Sequence, residues 1–510
     1  MKLIPFILGL TAILLIGCSK DKITATTEQG IEIETITTTD TISVVFSTSS
    51  NATVTGASSL QSVTIDGNRV TIVNNDRNPI TYLLSGSTSD GYFKIYSPKK
   101  QQIELNGVDI TNPNGAAINV QGITDSVSKG KAVYLVLKGN NTLTDGTTYS
   151  NTPSEEDEKA ALFSEGQIII SGTGSLTVNA RGKSGIVSDD YVNITGGNVT
   201  VNSTASTFVS GGDTTKVAGI KGKDSFIMTD GTLSISCSGT GAKGISGDGT
   251  AVFNGGTVNI TVSGNNFGST SGGGGWPGGG HGGNQSSDNS VAAKGIKFDG
   301  NITFNGGTVT VKCSKHEAIE SKGELTVNGG IVYAYSAADD AINSASTMTI
   351  NDGFVCAHAT SNDGLDANGN LYIKGGLVYA IGSSSPEMAI DANTEGGFKL
   401  YVQGGTLIAI GPLENGASLT QSCYQASSWS KSTWYALSVD SSTYAFKTPS
   451  SGGNKLVVSA ASQPSLKSGV STSGGTEYFE GTLLIDPSVS GGTNVTLSNY
   501  TSGGGGGGWH

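Results

Sequence analysis

An all-β chain wound as a right-handed parallel β-helix is what three features of the sequence predict: a glycine-rich, proline-poor composition, a short unit repeated through its middle, and alternation of apolar and polar residues within that unit. Glycine supplies 76 of the 510 residues and proline only 11. With Asn, Thr, Ser, Val and Ile abundant, such a composition suits short strands separated by tight turns. No amphipathic helical pattern is legible after residue 20. A regular array also absorbs as one body a length that would otherwise make roughly two to four domains. The net charge of −12 excludes a nucleic-acid role, because phosphate binding needs a basic face.

The first element, MKLIPFILGLTAILLIGCSKDK, has a basic start at Lys2, an apolar stretch through Ile16, and then Leu15-Ile16-Gly17-Cys18. That run is too short and too early for a durable span, and its end resembles a bacterial lipobox. Residues 1–17 are therefore expected to be a lipoprotein signal peptide, with Cys18 the lipidated first residue of the mature chain. Residues 18–50, rich in Thr, Ser and Glu, are expected to be a tether. The expected location is the bacterial cell envelope, at the outer membrane or cell surface, with the lipid anchor as the only membrane contact and the protein acting as a monomer.

Residues 51–411 form the expected helix. Stretches such as VTIDGNRVTIVNN and IELNGVDITNPNGAAINV are strand-rich but irregular, as first coils would be. Further on, the unit becomes regular: a small residue, an aliphatic anchor, a polar turn, a short strand, and a Gly-Gly or Asp-Gly pair ten residues after the anchor. The anchors are Ile186, Ile220, Ile245, Ile296, Ile319, Ile342 and Leu365, with Ile390 heading a stretched unit. From Ile296 to Leu365 they recur every 23 residues. A unit this short closes no core alone, whereas stacked units bury their inward aliphatics along one axis. Leu325, Val327, Val332 and Ala334 exemplify that inward set. Cys237 and Cys313 fall at one inward offset and are expected to be buried free thiols, and the five cysteines have no zinc-binding spacing. The glycine pairs answer the need of tight turns for positive φ. Residues 268–290 are a Gly-rich insertion carrying Trp276, 412–500 a C-terminal β-region or cap, and 501–510 a Gly-rich tail.

Register turns this repeat into a distance map, since equivalent positions in adjacent coils lie about 4.8 Å apart. Two places before the anchor stand Lys243, Lys294, Glu317, Asp340 and Asp363. One place after it stand Lys221, Ser246, Lys297, Glu320, Asn343, Asp366 and Asp391. Three places before it stand His316, Asp339, Asn362 and Glu387. The later coils thus carry a strip of acids where the earlier ones carry lysine. Two carboxylates at that spacing repel by about 3 to 4 kcal/mol at an effective dielectric near 20. A hard cation removes that penalty, and an all-oxygen set suits calcium. The expected ligands are Glu317, Glu320, Asp339, Asp340, Asn343, Asp363, Asp366, Glu387 and Asp391, holding several Ca²⁺ ions. DANGN from Asp366 is not an EF-hand, because Leu377 stands where the bidentate acid belongs.

At this point the chain resembles bacterial secreted calcium-binding, carbohydrate-binding parallel β-helix proteins of pectate-lyase-like fold. The segments YLLSGSTSDGYFKI, IELNGVDITNPNGAAI, NNTLTDGTTY, AALFSEGQIIISGTGSLTVNA and GIKGKDSFIMTDGTLSI carry the likeness, across roughly residues 60 to 480. It implies several calcium ions and affinity for cellulose-like or acidic pectin-like polysaccharides. Lysine in the coils of Ile220, Ile245 and Ile296 departs from the pattern and places the expected calcium late.

Binding is the first functional expectation. Tyr333 and Tyr379 sit at one outward offset two coils apart, with Tyr335 at the neighbouring offset, a spacing suited to stacking on sugar rings. The rival is a calcium-dependent polysaccharide lyase that acts on uronates by β-elimination, with Lys294, Lys297 or Lys322 taking the proton. A surface scaffold or adhesin without sugar specificity is the third reading.

Overall fold

The computed structural model describes residues 36–122, 132–150, 156–268 and 290–503. The signal peptide, Cys18, most of the Gly-rich insertion with Trp276, and most of the tail lie outside the described residues. Every regular element within them is a β-strand, and parallel pairing dominates the two large sheets. That arrangement is consistent with a β-helix.

Each coil contributes three strands because three apolar pairs alternate with turns along it. In one coil these are Ile319–Ser321, Leu325–Val327 and Ile331–Ser336, and in the next Ile342–Ser344, Met348–Ile350 and Phe354–Ala359. Each strand pairs in parallel with its equivalent, Ile319 with Ile342, Leu325 with Met348 and Val332 with Val355. The inward side chains are buried together in one core, which includes Leu325, Val327, Val332 and Ala334. Aromatic residues stack along the axis within it, as Phe253 does on Phe304 with ring centroids 4.9 Å apart. Cys237, Cys313, Cys356 and Cys423 are buried and free.

At the turns, polar ladders run parallel to the core. Asn328 donates to Asn305 at 2.8 Å and Asn351 donates to Asn328 at 2.8 Å, so one amide satisfies the next. The glycine pairs lie beside this ladder. Gly330 has φ of +80°, and a Cβ there would stand 2.7 Å from the Gly306 carbonyl carbon of the coil before. Dihedral and space therefore exclude a side chain together.

Two expected boundaries shift. Asp40–Phe46, assigned to the tether, is a strand paired in parallel with Ile80–Thr88, because its alternating Ile42, Val44 and Phe46 side chains are buried. At the other end the anchors continue past residue 411: Leu413 bridges in parallel to Ile390, one more 23-residue step. The C-terminal segment then divides. Ser418–Leu419, Cys423–Ala426, Leu456–Ser459 and Leu497–Asn499 join the large sheet. Six further strands between Trp434 and Val495 form a separate antiparallel sheet. That sheet lies against the outward face of Phe354–Ala359, Leu377–Ile381 and Thr406–Ile410 and makes a second core with it.

Candidate functional site

The charged strip is built by the stack of first strands, to which successive coils contribute Ile296–Phe298, Ile319–Ser321, Ile342–Ser344, Leu365–Ala367 and Ile390–Ala392. The aliphatic anchor points inward, so its neighbour one place on points outward. Pairing sets Lys297, Glu320, Asn343, Asp366 and Asp391 side by side. Glu414, which follows Leu413, extends the row. It was missed in the sequence because the chain around it no longer repeats the strand pattern, although the 23-residue step from Ile390 to Leu413 pointed to it.

Where lysine meets acid, the strip supplies its own counter-ions. Lys294 Nζ lies 3.0 Å from Glu317 Oε2 and 2.6 Å from Glu320 Oε2. Burial pulls the Lys294 pKa down, but these two carboxylates outweigh it and hold the amine charged. Lys322 also pairs with Glu320. Glu317 further contacts His316, whose Nδ1 is 2.7 Å from Asp339. Burial disfavours the charged imidazole, yet hydrogen bonds to Asp339 and Glu317 raise its pKa to about 9. His316, Glu317 and Asp339 place ligand atoms within 4.8 Å of one another, but a protonated imidazole already fills the role of a cation there. Glu317 and Glu320, expected as calcium ligands, are thus paired already, with Lys294 of the coil below and with His316 and Lys322 of their own coil.

One coil further on, those counter-ions stop. Asp340 is 5% exposed, and its carboxyl is pushed well above the usual range, first by burial and then by Asp366, Asp339, Asp363 and Glu317. Its oxygens accept from the Asp363 amide at 3.1 Å and from Asn343 Nδ2 at 3.3 Å, and Asn343 Nδ2 also reaches Asp366 at 2.5 Å. Burial and then Asp391 and Asp366 raise Asp363 to about 8, against a bond from the Met388 amide. Asp366 is raised to about 7 by burial and Asp391. Glu387 is raised by burial, Asp391 and Asp339, and Glu414 to about 8 by burial and its hydrogen bond with Asp391. Asp339 is lowered instead, because bonds from His316 and Asn362 outweigh its burial. Seven oxygen-bearing side chains from four coils therefore line one strip: Asp340, Asn343, Asp363, Asp366, Glu387, Asp391 and Glu414.

On the lysine side the strip opens into a cleft of about 280 Å³. Lys216, Lys221, Lys243, Lys294, Lys297 and Lys322 line it, with Asp248, Asp299 and Glu320. Lys297 pairs with Asp299 and Lys221 stands 3.5 Å from Asp248. All three lysines of the lyase expectation, Lys294, Lys297 and Lys322, are thus held in ion pairs.

The expected tyrosine platform needs correction. Tyr333 and Tyr379 do point away from the coil axis, but the C-terminal antiparallel sheet covers them. Tyr379 is 0% exposed, with its hydroxyl donating to the Lys447 carbonyl at 2.9 Å and its ring 5.7 Å from that of Phe446. Tyr333 is 8% exposed and packs against Phe479. Tyr335 is half-buried, edge-on to His358. Tyr372 and Tyr401, on the neighbouring stack, remain half-buried and parallel, with centroids 4.7 Å apart and Lys374 Nζ 5.2 Å from the Tyr372 ring. The stretched unit headed by Ile390 brings Leu400–Val402 into register beside Leu371–Ile373 and so sets the two rings side by side.

Among solved structures, that of the polysaccharide lyase-like protein from C. thermocellum, a gadolinium derivative, is similar over 60% of this chain and 97% of that one, at 22% identity and a TM-score of 0.36. A carbohydrate-binding domain-containing protein of Acetivibrio thermocellus is 36% identical over 126 residues, 24% of this chain. The chain spans only 42% of that relative's length. The family model described as carbohydrate-binding domain-containing protein matches residues 66–341, from the first coils through the lysine cleft to the start of the acid array. With more than half of its 510 residues matched, the chain belongs to the family of carbohydrate-binding domain-containing proteins.

Proposed function

We propose that this protein binds polysaccharide, cellulose-like or acidic and pectin-like, in a calcium-dependent way at the bacterial cell envelope. Family membership supports the carbohydrate part. The observation that carries the calcium part is the run of carboxyls at Asp340, Asp363, Asp366, Glu387 and Glu414, all raised in pKa and none in an ion pair with lysine or histidine among the described residues. The donors fit the ion: they are oxygens only, several are carboxylates, and they come from consecutive coils whose spacing suits bridging. Asp340, Asn343, Asp363, Asp366, Glu387, Asp391 and Glu414 would hold calcium, with Asp339 beside them. Calcium there would supply positive charge at a surface that otherwise repels an acidic glycan.

Tyr372 and Tyr401 replace Tyr333 and Tyr379 as the aromatic landing for sugar in this reading. The test is retention on insoluble cellulose and on polygalacturonate, with calcium and with chelator, read in parallel for unsaturated uronate products by ultraviolet absorbance. Calcium-dependent retention without product is expected, and Tyr372→Ala with Tyr401→Ala should weaken it by about 1 kcal/mol per ring. Absence of retention in both conditions would overturn the binding reading. Formation of unsaturated product would favour the lyase. The envelope location rests on Cys18, and Cys18→Ser should move the protein from the membrane to the soluble fraction; unchanged fractionation would remove the lipid anchor from this proposal.

A further inference from the structure

The lysine cleft obeys the same geometry as the acid array with the sign of the charge reversed. Lys243 and Lys294 occupy the position two places before the anchor in consecutive coils, joined where the Gly244 amide donates to the Lys294 carbonyl at 3.0 Å. Lys221, Ser246 and Lys297 form the row one place after it. Ammonium groups spaced by one coil repel as carboxylates do, by about 3 to 4 kcal/mol at an effective dielectric near 20. Acids offset part of this: Lys294, Lys297, Lys322 and Lys221 each have a carboxylate nearby. Lys243 has none. It is 8% exposed and lines the cleft, and its Nζ makes no hydrogen bond or ion pair among the described residues. A buried ammonium without a partner is costly unless something else occupies the space in front of it. Six lysines around that space face only three carboxylates, so the cleft is cationic within a protein of net charge −12.

We propose that this cleft is a binding site for a doubly charged oxyanion, free sulfate or phosphate or the phosphate monoester of a sugar, with Lys243 as its central donor and Lys216 and Lys297 at its rim. It goes beyond the calcium reading, since the site uses none of the carboxyls assigned to the ion. Lys216, exposed and just before Ala218–Gly222, adds at the mouth a charge that forms no ion pair among the described residues. The charged groups that bear on Lys243 come from every side of the cleft: Lys294, Lys216 and Lys297 oppose its protonation and Glu320 favours it. Burial first, and then these cations, lower Lys243 to about 7. A bound dianion reverses the balance. Binding therefore draws a proton onto Lys243 at any pH above its free value.

Titration calorimetry on the full chain, dialysed free of calcium and chelator, tests the site with sulfate, whose charge is constant over the range used. Sulfate should bind about tenfold more tightly at pH 6 than at pH 8, with proton uptake at pH 8 revealed by two buffers of different ionisation heat. Lys243→Met should abolish the uptake and weaken binding at pH 6 at least tenfold, with a melting curve confirming its fold. Lys216→Gln, at an exposed position that cannot disturb the core, should weaken binding by a smaller factor. Glucose 6-phosphate beside inorganic phosphate, both mainly dianions at pH 8, separates the sources: tighter binding of the ester assigns the site to a substituted sugar, and equal or weaker binding to the free ion. Undetectable sulfate binding at pH 6, or a Lys243→Met variant that binds as the wild type does, would overturn the proposal.

Discussion

Asp340→Ala is expected to abolish the stabilisation that calcium confers, while leaving the calcium-free protein as stable as the wild type or more so. An ion bound to the folded state alone stabilises it by about 2.7 kcal/mol at a hundredfold excess over its dissociation constant. Asp340 touches both rows of the array through Asn343 and the Asp363 amide, so its loss removes a shared ligand. Without the ion, the same carboxyl is buried among like charges, and its removal relieves them. Melting curves with calcium and with chelator distinguish the two contributions. A variant still stabilised by calcium as fully as the wild type would sink the array as the calcium site.

The pH dependence carries the same logic. Asp363 is raised to about 8 and Asp366 to about 7 from an ordinary 3.8. A carboxyl raised in the folded state contributes stability that is fully present below the unfolded value and is lost as pH rises through the folded one. Chelated protein should therefore lose stability between about pH 4 and pH 8, with calcium restoring more of it at pH 8 than at pH 5. Calcium stabilisation of equal size at both pH values would contradict it.

The second large effect is expected at Tyr379. Truncation to Ala empties a fully buried site between Leu377–Ile381 and the covering sheet, and should cost about 3 to 5 kcal/mol. Tyr379→Phe keeps the ring and leaves only the Lys447 carbonyl without its donor, a loss of about 1 kcal/mol. Denaturant unfolding of the three proteins measures both steps. A stable Tyr379→Ala variant that had instead lost polysaccharide retention would return this tyrosine to the sugar face.

By itself the sequence determined the coil register and hence the charged strip. Anchors recurring every 23 residues admit only one parallel alignment that keeps Ile296, Ile319, Ile342 and Leu365 inward together, because a slip of one residue would turn each to solvent. Once that alignment holds, Asp366 must lie beside Asp391, and Lys294 beside Glu317. The tertiary structure alone decided what lies opposite each outward face. Alternation marks Tyr333 and Tyr379 as pointing away from their own axis, but says nothing of a sheet from residues 434–495 that folds back over them. It likewise could not show that Lys294 pairs with Glu317 and Glu320 while Lys243 forms no ion pair among the described residues, since side chains of equal length in equivalent positions differ only in their neighbours across the coil. Periodicity is a property of one strand against its copies, whereas burial and charge compensation depend on the segments that close over it.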